Sequence, residues 1–130
     1  MKPKLYTLIT GSSEGFGKAM AIECAKRKMN LVLVALPNSG LQNLATTIIK
    51  NYNVDVITLE KDLSVEQNCL NLADDITNLN LSINMLINNV GIGSNMLFKE
   101  GTIEFYQKQI KLNLSITQPL HLHICLLLIL

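Results

Sequence analysis

Charge is scarce in this sequence. Asp, Glu, Lys and Arg make up 16% of 130 residues, and 11 basic against 10 acidic side chains leave a net charge of +1. So even a balance creates no field that would recruit nucleic acid or an anionic lipid surface, and no basic stripe appears. Cysteine is scarce as well. Cys24, Cys69 and Cys125 lie far apart and form no Cys-x-x-Cys pair. An odd, scattered set points to buried or idle thiols in a reducing compartment, which places the chain in the cytoplasm. The opening residues Met1 to Tyr6 hold charge but no long apolar core and no small-residue cleavage site, which argues against a secretory signal. Repeats of fixed period and low-complexity linkers are missing. His121 and His123, two apart, would not share a helix face, and no carboxylate lies nearby, so no metal site is expected. No apolar run reaches the roughly 20 residues that cross a bilayer. Leu120 to Leu130 (LHLHICLLLIL) comes nearest. It reads first as a buried helix, next as a tail unrelated to the rest of the fold, and least as a membrane anchor.

What the sequence does hold is apolar residues, 48% of the chain, in alternation with helix-like stretches. The length fits one domain, residues 1–130, and is too small for two cores. Short β-rich or continuous apolar runs occupy Leu5–Thr10, Leu31–Leu36, Val54–Leu59 and Ile83–Asn88. Between them lie helical patterns over Gly15–Met29, Leu41–Tyr52 and a stretch ending near Leu79. For the last of these, Ser64 is the expected N-cap, with Gln67 three places on. Thr102 is expected to cap a final helix from Ile103. Strands alternating with helices of this length predict an α/β fold with a parallel sheet and right-handed crossovers. The uninterrupted run Leu31–Leu36 suits a strand covered on both faces.

The strongest local signal is Thr10-Gly11-Ser12-Ser13-Glu14-Gly15-Phe16-Gly17. It follows the first strand and opens the first helix. Free N–H groups and a partial positive charge at such a helix start attract pyrophosphate, and glycines let the backbone come close. The spacing is G-x-x-x-G-x-G rather than the commoner G-x-G-x-x-G.

The segment TGSSEGFG resembles the cofactor turn of the short-chain dehydrogenase/reductase family. Three further pieces fall where that family has them: Asp62-Leu63-Ser64 after the third strand, Asn88-Asn89-Val90-Gly91 after the fourth, and Asn113 within Lys111-Leu112-Asn113-Leu114. The likeness runs from residue 5 to about 118. The valine in Asn-Asn-Val-Gly and the acidic Glu14 look most like the branch of 3-ketoacyl-CoA reductases and 17-beta-hydroxysteroid dehydrogenases. The resemblance implies a Rossmann-type doubly wound parallel sheet, here truncated to strand order 3-2-1-4. It implies an NAD- or NADP-dependent oxidoreductase that moves hydride between nicotinamide and a carbonyl or alcohol.

Carried over by position, Gly11, Ser12, Ser13, Gly15, Phe16 and Gly17 would line the adenosine ribose and pyrophosphate. Asp62 would accept from the adenine amino group, and the Leu63 N–H would serve the ring. Asn89, Val90 and Gly91 would pass under the cofactor ribose, with Asn88 bracing the neighbouring strands. Asn113 would hold a water in a proton relay. At the end of the second strand, Ala35-Leu36-Pro37-Asn38-Ser39 contains neither an acid for a ribose hydroxyl nor a base for a 2′-phosphate, so the choice between NAD and NADP stays open.

The family's reaction also needs a tyrosine whose pKa a lysine lowers, in the pattern Tyr-x-x-x-Lys. Tyr6, Tyr52 and Tyr106 are followed four residues later by Thr10, Val56 and Ile110. The chain therefore reads as the cofactor half of a dehydrogenase, inactive as it stands. The alternatives are a dinucleotide-binding module without chemistry and an inert fragment. The fourth strand would present an apolar edge open to a second copy or to aggregation.

Overall fold

A computed structural model describes residues 2–93 and 96–115. Four parallel strands form one sheet: β1 (Leu5–Thr10), β2 (Asn30–Ala35), β3 (Val56–Glu60) and β4 (Ser82–Ile87), in the order β3-β2-β1-β4. Leu8 stands beside Val32 on one side and Leu86 on the other. A register shift between Tyr6 and Thr7 interrupts the pairing of β1 with β4. The expected order and parallel sense are both present.

Alternate residues of the central strands feed two cores, as the two-residue period of a strand requires. Ile9, Leu31, Leu33 and Ala35 pack with Ala21, Cys24 and Ala25 of α1 (Gly15–Lys26) and with Leu41, Leu44 and Ile48 of α2 (Leu41–Tyr52). Leu8, Val32 and Val34 face the other way, onto Cys69, Leu72 and Ile76 of α3 (Glu66–Asn78). Both faces of β2 are thus covered, which is why its sequence shows no polar alternation. Each such buried aliphatic side chain contributes about 1.5–3 kcal/mol.

Several boundaries differ from the sequence expectation, each for a local reason. α1 stops at Lys26 rather than Met29 because Lys28 turns left-handed (φ +62°), and the amides of Lys28 and Met29 close back on Ala25 and Cys24. β3 begins at Val56 rather than Val54. Val54 is buried in the core, and the Asp55 N–H donates to the Asn30 side chain. α3 opens at Glu66, and Ser64 does not cap it. The Ser64 hydroxyl donates to Asp62 instead, so the N-cap is Val65, without a side-chain acceptor.

Thr102 caps α4 (Ile103–Ile110) as expected, its hydroxyl accepting from the Phe105 N–H at 3.2 Å. A 3-10 turn at Phe98–Glu100 precedes α4, and a π-helical turn at Lys111–Ser115 follows it. No described helix is long and apolar enough to cross a membrane. The readings placed on Leu120–Leu130, Cys125, His121 and His123 lie outside the described residues.

Candidate functional site

The loops leaving the C-terminal ends of the strands enclose a cleft of about 420 Å³. In open parallel sheets this is where ligands bind, at the point where chain connections diverge from a central strand. Gly11 and Ser13 supply one wall and Leu36 another. Asp62, Leu63 and Ser64 form a third, and Asn89 to Ile92 the floor. Lys108 and Leu112 close the side nearest α4.

The turn after β1 is fixed by close packing. A Cβ on Gly17 would lie 2.1 Å from the Gly11 carbonyl oxygen, a contact that only glycine avoids. Gly15 takes φ +54°, and nothing lies within 4 Å of where its Cβ would stand. Glu14, the extended N-cap of α1, gives no side-chain hydrogen bond. The first helical bond returning to the cap is Lys18 N–H to Glu14 O, at 3.2 Å. The amides ahead of it are therefore without a side-chain acceptor, next to open space and at the positive end of a 12-residue helix.

Ser12 departs from its expected role. It is buried, and both its N–H and its hydroxyl donate to the Val34 carbonyl, at 3.1 and 3.2 Å. It fastens the turn to β2 and does not line the cleft. Phe16 is 70% exposed and also stands outside the cleft lining. Ser13 does line it.

The bracing role expected of Asn88 belongs to its neighbour. The Asn89 side-chain amide donates to the Gly11 carbonyl at 3.0 Å, tying the end of β4 to the turn after β1. The buried Thr10 hydroxyl accepts from both the Asn89 and Val90 amides, at 3.1 and 3.2 Å. Sequence reasoning assigned nothing to Thr10. Its signal was there: a hydroxyl on the last residue of a central strand, directly before the first glycine.

Asp62 lies in the cleft wall, but one carboxylate oxygen is already engaged. Oδ1 accepts from the Ser64 hydroxyl at 2.6 Å and from the Ser64 N–H at 2.9 Å. These bonds favour the charged form and hold the Asp62 pKa below the usual carboxylate range, with a smaller pull from the Lys108 ammonium. The adjacent Leu63 is buried, and its carbonyl receives the Cys69 thiol. Lys108, which the sequence did not single out, sits across the cleft from this loop.

Asn113 clasps the floor. Its Oδ1 accepts from the Ile92 N–H, and its Nδ2 donates to the Ile92 carbonyl, both at 2.9 Å. Gly91 lies against it: a Cβ there would stand 2.9 Å from Asn113 Oδ1. Of the proposed residues, the structure thus brings Gly11, Ser13, Asp62, Leu63, Asn89, Val90 and Gly91 to one cleft. Among the described residues there is no group of three His, Cys, Asp or Glu side chains placed to hold a metal.

A strand, a glycine turn packed to the limit, an uncapped helix start and an asparagine-braced floor define a dinucleotide-type fold. The chain belongs to the short chain dehydrogenase family, whose profile matches residues 6–120. Among similar curated proteins, the very-long-chain 3-oxoacyl-CoA reductase of Mus musculus is 36% identical over 89 residues, covering 67% of this chain and 27% of that protein. The 11-beta-hydroxysteroid dehydrogenase of Pinus massoniana is 33% identical over 95 residues, covering 73% of this chain and 27% of that protein. The first of these names bears out the resemblance to the 3-ketoacyl-CoA reductase branch. Among solved structures, a short-chain dehydrogenase from Sphingobium yanoikuyae in complex with NADPH is 30% identical with a TM-score of 0.83, over 95% of this chain and 47% of that one. The L-sorbose reductase of Gluconobacter frateurii, complexed with NADPH and L-sorbose, is 26% identical with a TM-score of 0.87, over 98% and 48%. The chain spans about a quarter of the length of the curated relatives it matches, and about half that of the solved ones.

Proposed function

We propose that this chain binds NAD or NADP in the cleft, as the cofactor-binding part of an oxidoreductase acting on a carbonyl or alcohol. The observation that carries the reading is the uncapped start of α1 opening beside Gly15, where space and unsatisfied amides coincide at the C-terminal edge of the sheet. The amides from Gly15 to Gly17, with the Ser13 hydroxyl, would receive the pyrophosphate. The unengaged oxygen of Asp62 and the Leu63 N–H would meet the adenine, and Asn89 to Gly91 would run beneath the ribose. In this role Gly11, Gly17, Ser12 and Thr10 act through the turn they hold together. Asn113 is assigned to the proton relay. Because Ile92 engages both ends of its amide, a relay water would rest on the backbone of the π-helical turn, whose carbonyls are spaced beyond the usual ladder. When bound, the nicotinamide supplies or accepts hydride.

Hydride transfer at an enzymatic rate also needs a proton donor, worth about 10²–10⁴-fold. None of the three tyrosines begins a Tyr-x-x-x-Lys. This favours a second reading for these 130 residues taken alone: a dinucleotide-binding module without turnover, organised as a single domain. The buried, unpaired thiols of Cys24 and Cys69 agree with a cytoplasmic setting. Among the described strands β4 is outermost, and its exposed Met85, 43% accessible, supports a second copy or aggregation at that edge.

Calorimetric titration with NADPH, NADH and ADP-ribose tests the proposal, run beside Gly15→Asp. Aspartate tolerates the left-handed backbone better than a branched residue, and its Cβ has room. Its carboxylate would stand where phosphate belongs. Saturable binding by the wild type, lost in Gly15→Asp while the circular dichroism stays native, is the expected result. Failure of all three ligands to bind, or equal binding by the variant, overturns it.

A further inference from the structure

The chain holds 14 asparagines, and only Asn38 stands directly before a serine or a glycine. That neighbour matters chemically. A main-chain nitrogen can close on the side-chain carbonyl of the asparagine before it, and a small residue leaves the approach unobstructed. The fold separates Asn38 from its counterparts as well. Asn30, Asn68, Asn89 and Asn113 each donate the side-chain amide to a backbone carbonyl. Among the described residues the Asn38 carboxamide holds no such bond, and the residue is exposed.

The backbone around it is equally free. Pro37 and Asn38 form the turn after β2, with Asn38 left-handed at φ +60°, a conformation that asparagine tolerates. Pro37 has no N–H to anchor the turn. No hydrogen bond of normal length and angle runs back across it from the Ser39 N–H. Gly40 follows at φ +76°, and nothing lies within 4 Å of where its Cβ would stand. The Ser39 hydroxyl is covered and has no hydrogen-bond partner. Carried by the same residue as the nitrogen, it is free to donate to the carboxamide oxygen as charge gathers there.

We propose that Asn38 is a site of spontaneous deamidation, with Ser39 supplying both the attacking nitrogen and an assisting hydroxyl. The Ser39 main-chain nitrogen, its proton lost to water or hydroxide, bonds to Asn38 Cγ. The Cγ–Nδ2 bond breaks, and Nδ2 leaves as ammonia with a proton from water. The cyclic imide that remains takes up a water molecule. Opening at Cγ gives aspartate, and opening at the main-chain carbonyl gives isoaspartate, whose chain runs on through the side-chain carbon. No oxidant, reductant or bound ligand takes part. Either product brings a carboxylate to the entrance of α2, whose cap Gly40 offers no side-chain acceptor. The added negative charge takes the formal net charge from +1 to zero, a balance that favours association.

The test incubates the folded chain beside a peptide of residues 34–42, followed by peptide mapping in a mass spectrometer and labelling with isoaspartyl methyltransferase. Both products should appear at position 38 of the folded chain, at a rate within severalfold of the peptide's and faster at pH 8 than at pH 6. Asn30, Asn68, Asn89 and Asn113 should stay intact over the same time. Asn38→Gln should abolish the acidic isoform on isoelectric focusing. Ser39→Ala should slow the folded chain more than it slows the peptide, and equal slowing overturns the hydroxyl's part. A folded rate below the peptide's by about tenfold or more, the mark of a turn that the fold protects, overturns the proposal. So does an acidic isoform that persists in Asn38→Gln.

Discussion

The two sides of β1 teach different things. On one side lies β2, six residues long, with Leu31 to Val34 wholly buried between helices. On the other lies β4, also six residues, where Asn84 and Met85 are exposed. α1, α2 and α3 each have four buried residues, whereas α4 has none, with Ile103 72% and Ile110 57% exposed. The β2 side is held by apolar burial. The β4 side pairs with β1 and buries Ile83 and Leu112, but its loops depend on polar clasps: Thr10 to Asn89 and Val90, Asn89 to Gly11, and Asn113 to Ile92. The cleft sits on the seam. Its turn rests on the rigid half, and its floor belongs to the half stitched down by side-chain amides.

Substitutions can break or sharpen this contrast. Leu33→Ala should be the most damaging, because a cavity between β2 and two helices cannot collapse. A loss of about 2–5 kcal/mol is expected from urea unfolding. Asn89→Ala strips the Gly11 carbonyl of its donor and should cost about 1–3 kcal/mol in the same assay. It should also weaken dinucleotide binding far more than Leu33→Ala does among the molecules that remain folded.

Ser64→Ala should cost less, about 0.5–1 kcal/mol at pH 7, because the Asp62 pair is partly screened by water. Since the folded pKa of Asp62 is lowered, its contribution is complete above the ordinary aspartate value of about 3.9 and disappears as the pH falls through the folded value. The gap between wild type and variant should therefore narrow in unfolding curves as the pH is taken down below the ordinary aspartate value. Met85→Ala, at an exposed position of β4, should stay within about 0.5 kcal/mol of wild type. A fall as large as that of Leu33→Ala would erase the distinction between the two sides. A chemical readout follows the same line. Burial pushes the Cys69 thiol up to about 11, so iodoacetamide at pH 8 should label it only as fast as the fold opens.

The well-packed half was also the legible one. The run Leu31–Leu36 predicts a strand covered on both faces because burial writes itself into composition. The same logic located β1, β3 and the helices to within a few residues. The polar half was less readable, since a hydrogen bond between residues 78 apart leaves no periodicity. Thus Asn88 was expected to brace where Asn89 does. Ser12 was expected at the phosphates but spends its donors on Val34, and Ser64 was expected to cap α3 but serves Asp62. Each of these residue types has more than one partner within reach, and only the fold decides among them. The motif positions were nonetheless right as a set, because Gly11, Asp62, Asn89 and Gly91 all end at strand termini that the parallel order brings together.

The π-helical turn at Lys111–Ser115 has its own consequence. Such a turn accommodates one residue beyond what an α-helical ladder would carry. Each residue advances a helix by about 100°, so trimming a single amino acid ahead of Asn113 would turn its side chain by that angle. The surplus residue thus acts as a phase setting. It decides that Asn113 comes round to meet Ile92, and an insertion or deletion there would misaim the side chain without removing it.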